Sequence, residues 1–65
     1  MKILKSRVIQ AATIQIEDWE ERYPDDRYTV LWKDKDEENR YLARSLQDAE
    51  EYYEYRCLLV EQGKM

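Results

Sequence analysis

Sixty-five residues with one cysteine and no histidine make a single domain, 1–65, that must be held by packing or by self-association. A chain of this length buries only about 60% of its unfolded surface, no internal disulfide can form, and the commonest zinc ligand is missing. The formal charge of −4, from 15 acidic against 11 basic residues, argues against a nucleic-acid-binding domain, and the two Trp and six Tyr are too many for a disordered tail.

No apolar run is long enough for a signal peptide or a membrane span. The lone cysteine fits a reducing compartment, so a soluble cytoplasmic protein is expected. Phe is absent, so every large ring is a Tyr or Trp with a polar handle. Such rings suit half-buried positions in a small core and interfaces alike.

Met1–Arg7 is a short basic lead. Val8–Glu17 is rich in β-branched residues and predicts a strand, with Val8, Ala12, Ile14 and Ile16 on one face and Gln10 out of pattern. Ile9, Ala11, Thr13, Gln15 and Glu17 fall on the other face. A helix competes, because Leu4, Val8, Ala11, Gln15 and Trp19 share a helical face. Asp18–Asp26 is a break: Pro24 lacks an N–H, Asp25 and Asp26 form turns, and Trp19–Tyr23 has room for one helical turn. Arg27–Lys33 is a strand with Tyr28, Val30 and Trp32 on one side and Thr29, Leu31 and Lys33 on the other. Asp34–Asn39 is a polar turn and Arg40–Arg44 the returning strand.

Ser45–Gly63 carries the strongest local signal, one amphipathic helix. Ser45 is an N-cap with Asp48 in a capping-box position. Gly63 suits the left-handed closing residue, followed by the cation Lys64. Leu46, Ala49, Tyr53, Cys57 and Val60 form one stripe. Glu50, Glu54 and Glu61 line a neighbouring face, with Glu51 beyond them. The order is β-β-β-α: an α+β domain, a three-stranded antiparallel meander with one C-terminal helix across a face. That outline is similar to the three-stranded-sheet-plus-helix modules of some DNA-binding domains.

The acidic residues are clustered. Glu17, Asp18, Glu20, Glu21, Asp25 and Asp26 surround the first loop; Asp34, Asp36, Glu37 and Glu38 crowd the second turn; Asp48, Glu50, Glu51 and Glu54 occupy the first half of the helix. A meander brings the first and third clusters together and carries Glu61 toward the second. The expectation is an acidic band along the molecule, with Glu50 and Glu54 about 6 Å apart, a spacing like that of phosphates on a nucleic-acid backbone. A solvated face kept for solubility accounts for the same residues.

Catalysis and metal binding are not expected. Asp34, Asp36 and Glu38 resemble the start of a calcium loop, but Asn39 stands where glycine is needed and Ser45 where a bidentate Glu is needed. Glu50 and Glu54 have no His or Lys partner for acid–base work, Cys57 has no activating base, and one glycine cannot make a phosphate loop. No cofactor is implied.

In size, acidity, element order and lack of a catalytic set, the chain resembles the small acidic inhibitors of phages and mobile elements, including anti-CRISPR proteins that mimic DNA. The resemblance implies a non-catalytic binding protein in the host cytoplasm, if phage-encoded. Its target would be a protein with a basic nucleic-acid-binding surface, such as a CRISPR-Cas effector. Contacts would come from Glu17, Glu20, Glu21, Asp25, Asp26, Asp48, Glu50, Glu51 and Glu54, without direct nucleic-acid or membrane binding. One alternative is a structural or regulatory subunit docking through Tyr52, Tyr55 and Leu58, as monomer or homodimer. Another is a nucleic-acid binder using Arg27, Lys33, Arg40 and Arg44 with Tyr41 or Trp32 on an open sheet face.

Overall fold

The computed structural model describes residues 1–22 and 25–63. The order is β1 Lys2–Ile9, β2 Ala12–Asp18, a 3-10 turn at Glu20–Arg22, β3 Tyr28–Lys33, β4 Glu38–Ala43 and α1 Leu46–Glu61. The strands form one antiparallel sheet in sequence order, with β1 and β4 at its edges. The fold is α+β with a C-terminal helix, as expected, but the sheet has four strands and not three.

The extra strand comes from the basic lead. Residues 2–18 fold as a hairpin, with Ile9 opposite Ala12 and a two-residue turn at Gln10 and Ala11. Both turn residues have positive φ, 49° and 73°, as a type I′ hairpin requires. The single strand expected over Val8–Glu17 is therefore interrupted by the bend in its first half, and its second half is β2. Val8 pairs with Thr13 and lies on the opposite face from Ala12, Ile14 and Ile16, a correction to the expected alternation. Ile3 is opposite Glu17 but Lys5 is opposite Ile16, so Leu4 is the extra residue of a β-bulge.

The helix lies across one face. Ala12, Ile14 and Ile16 from β2, Val30 from β3 and Ala43 from β4 pack with Ala49, Tyr53, Cys57 and Val60. Ile14, Ile16 and Val30 are wholly buried, and each such side chain contributes about 1.5–3 kcal/mol. Of the expected helix stripe, only Leu46 stays partly exposed, at 39%, because it sits in the first turn at the sheet margin.

Ser45 caps the helix by accepting the Asp48 N–H at 3.1 Å, and Gly63 closes it at φ 73°. The Asp48 carboxylate does not return to the cap residue. It accepts the Arg44 N–H at 3.0 Å and the Tyr41 hydroxyl at 2.9 Å. The proline break and Lys64 lie outside the described residues, and the helical turn expected over Trp19–Tyr23 is the Glu20–Arg22 turn as far as residue 22.

Candidate acidic interaction surface

The loop between β2 and β3 is built by its own arginines. Trp19 N–H donates to the Arg27 carbonyl at 2.7 Å, and Arg22 N–H to the Trp19 carbonyl at 2.8 Å. Arg27 forks onto Asp18, Nε to Oδ1 at 2.7 Å and Nη2 to Oδ2 at 3.1 Å. These hydrogen bonds hold the Asp18 carboxyl below its ordinary value, against the opposing effect of burial, and raise the guanidinium's. The Arg22 guanidinium lies 4.1 Å from the centre of the Trp19 ring, a cation–π stack.

With Arg22 on Trp19 and Arg27 on Asp18, Glu20, Glu21, Asp25 and Asp26 are left exposed. Glu20 reaches Arg27 only at 3.9 Å. An open cleft of about 180 Å³ lies beside Glu20 and Glu21, lined also by Met1, Lys2 and Asp18.

The rest of the expected band is divided. Glu17 is 3% exposed, so it cannot touch a partner. Its carboxylate accepts the Trp19 Nε1–H at 2.9 Å and the Gln15 side-chain amide at 2.7 Å. Asp48 is held by Tyr41 and Arg44, as described above. Glu50 pairs with Lys5 at 3.2 Å and Glu61 with Arg7 at 3.9 Å, and Glu54 lies between them on the same helical stripe. Lys5 and Arg7 also lie 5.8 and 5.9 Å from the centre of the Tyr53 ring. The helix face read as unrelieved negative charge thus meets the cations of β1. Each of these half-exposed pairs adds no more than about 1 kcal/mol, yet together they relieve the charge. Glu61 sits against β1, the edge opposite the Glu38-bearing β4, so the band does not run continuously to the second turn. Glu51 is exposed and accepts from Gln47 at 3.3 Å.

At the far end, Asp34 Oδ1 accepts the amides of Asp36 and Glu37 at 2.8 and 2.9 Å. It closes the hairpin turn, and these bonds hold its carboxyl below the ordinary range. Among the described residues no group of three or more potential ligands is placed to hold a metal ion. Burial pushes the Cys57 thiol up, the opposite of what a nucleophile needs.

The aromatic residues form a second cluster on the helix side of β3 and β4. Tyr52 stacks on Tyr41 with ring centres 4.0 Å apart and meets Trp32 at 5.4 Å. Arg56 covers Trp32 at 4.2 Å. Tyr52 is therefore an internal packing residue, while Tyr55 and Leu58 remain 53% and 52% exposed. Trp32 and Tyr41 face the helix, so they do not share a face with Lys33 and Arg40.

On that other face, strand register defines three rows: Ile3, Glu17, Thr29, Leu42; Ser6, Gln15, Leu31, Arg40; and Val8, Thr13, Lys33, Glu38. Glu17, Thr29 and Leu31 are buried here without help from the helix, at the end where Trp19 turns back onto Glu17. Among the described residues Thr29 Oγ1 finds no hydrogen-bond partner. This small second core was missed in the sequence; its one legible signal is Trp19 two residues after Glu17. Comparison with protein families, with curated proteins and with solved structures finds no match to the chain.

Proposed function

We propose that the chain is a non-catalytic binding protein that offers carboxylates to a basic, nucleic-acid-binding surface of a protein partner and blocks it by charge competition. The observation that carries this reading is the crowding of exposed Glu20, Glu21, Asp25 and Asp26 in one short loop whose two arginines are engaged in holding the loop itself. Clustered charge of one sign steers association and selects a partner of the other sign. The contact set is therefore this loop with Glu51, and Glu50 and Glu54 contribute less because β1 answers them. A DNA-handling complex such as a CRISPR-Cas effector is the class of target that the resemblance to phage inhibitors implies.

The test is capture of partners from nuclease-treated lysate on tagged protein, followed by elution with short duplex DNA. A DNA-released partner whose affinity falls by more than about 1 kcal/mol in Glu20→Lys/Glu21→Lys, and less in Glu50→Lys, supports the reading. A partner indifferent to DNA and to both variants refutes it.

A second reading, docking of a structural or regulatory subunit through the helix, is favoured by the exposure of Tyr55 and Leu58. Salt separates the two: charge competition weakens as ionic strength rises, and an aromatic contact does not.

A further inference from the structure

We propose that the outer edge of β4 pairs with the same edge of a second copy of this chain and joins the two sheets into one. Strand alternation identifies the groups this edge offers. The Asp34 N–H donates to the Glu37 carbonyl at 2.9 Å, so 34 and 37 are a hydrogen-bonded pair that continues the β3–β4 register. Bonded and non-bonded pairs alternate along an antiparallel ladder. Asn39, Tyr41 and Ala43 therefore bond β3, and the amides and carbonyls of Glu38, Arg40 and Leu42 point outward. Arg44 continues the outward series, and its N–H is closed by the Asp48 carboxylate at 3.0 Å. Among the described residues no loop or side chain closes the Arg40 and Leu42 amides in that way.

The two edges of the sheet differ. β1 carries Lys2, Lys5, Arg7 and the bulge at Leu4, features that discourage pairing with another strand. β4 runs for six residues without proline, glycine, lysine or a register shift. The helix packs chiefly over β2 and β3, and Glu38, Asn39, Arg40 and Leu42 are exposed.

Charge complementarity selects the occupant and the register. A two-fold axis perpendicular to the sheet sets two β4 strands antiparallel, with residues of the same face opposite each other. Centred on Tyr41, the pairing uses the whole strand. Arg40 stands opposite Leu42 of the second copy, and the two exchange N–H···O bonds on each side of the axis. Glu38 stands opposite Arg44 of the second copy, twice by symmetry. Arg44 is exposed and makes no ion pair among the described residues. Glu38 reaches Arg40 through Oε2 at 3.0 Å, which leaves Oε1 for Arg44. Leu42, 51% exposed in one copy, gains the apolar stem of Arg40. Tyr41 meets Tyr41 at the closer, non-hydrogen-bonded spacing that suits aromatic pairs, beside the Tyr52 ring stacked on it. Other registers fail. Centring on Arg40 opposes Arg40 to itself, centring on Leu42 opposes Arg40 to Arg44, and centring on Asn39 sets Leu42 against Asp36.

Sedimentation velocity of the full chain from micromolar to millimolar concentration, with amide exchange at both ends of that range, tests this. The expected result is a species of twice 8.0 kDa that dissociates on dilution. The Arg40 and Leu42 amides should exchange freely when dilute and be protected when concentrated. Glu38→Arg and Arg44→Glu each oppose like charges at two symmetric places, and each should raise the dissociation constant by about tenfold. An equimolar mixture of the two variants should recover association, because both contacts of the heterodimer are then of opposite charge. Ile3→Glu, on the β1 edge, should change nothing. Circular dichroism checks that these exposed substitutions keep the fold. A dimer in which the Arg40 and Leu42 amides stay unprotected, a dimer indifferent to both reversals, or a mixture that fails to recover overturns the proposal. A chain that sediments at 8.0 kDa throughout also overturns it and leaves the edge to an extended segment of a different protein.

Discussion

Arg27 grips Asp18 with two nitrogens, at 2.7 and 3.1 Å, and so ties the start of β3 to the end of β2. The Asp18 carboxyl is held below its ordinary value of 3.8, chiefly by that hydrogen bond. A lowered native value means the ionised form is favoured by folding. The stabilisation is therefore complete above the ordinary value and is lost as pH falls below it, through the native value. Urea midpoints for wild type and Asp18→Asn should differ at neutral pH and converge in that acidic window. Asp34, lowered by the turn amides, loses its contribution over the same window in both proteins.

Gln10 and Ala11 both sit at positive φ in a turn that prefers Asn-Gly. The left-handed conformation disfavours ordinary side chains by about 1–2 kcal/mol per residue. Gln10→Asn with Ala11→Gly should stabilise the fold by ~1 kcal/mol or more and raise Tm by roughly 4–8 °C. Thermal unfolding measures this, and an unchanged or lowered Tm would count against the turn geometry.

The Glu17 carboxylate is buried on two neutral donors, Trp19 Nε1–H and the Gln15 amide. Trp19→Phe keeps a ring and removes one donor. It should cost about 1–3 kcal/mol in denaturant unfolding, with a smaller cost in a Glu17→Gln background because a neutral side chain tolerates the lost donor better. Equal costs in the two backgrounds would dissociate Trp19 from Glu17.

Cys57 is 2% exposed, with its thiol pushed up by burial. Thiol labelling at neutral pH should be slow and should follow the opening of the domain, accelerating in urea in step with unfolding. Rapid labelling of the folded protein would mean that the helix detaches locally from the sheet.

Much of this architecture is legible in the residues. Ser45, Gly63 and the stripe from Ala49 to Val60 define the helix, because caps and a 3.6-residue period are local signals. Tyr28 to Lys33 alternates cleanly. The first hairpin was hidden because Gln10–Ala11 carries no turn chemistry and its β-branched flanks run on as one strand. The acidic clusters are plain in the sequence, but their neighbours are not. Lys5 and Arg7 stand more than forty residues from Glu50 and Glu61, and only the hairpin carries β1 beneath the helix. The burial of Glu17 was hidden for a similar reason: its cover comes from a loop, which has no periodicity to read.

The helix follows all four strands in the chain and supplies the only layer over Ile14, Ile16 and Val30 among the described residues. While a ribosome makes this protein, the sheet has nothing to fold against until Tyr53, Cys57 and Val60 have emerged. Its apolar face stays uncovered until then, beside two open edge strands, and such species aggregate readily. Short length limits that interval, since synthesis adds about 5–20 residues per second. Without the helix, Ile14, Ile16 and Val30 have no apolar layer against them.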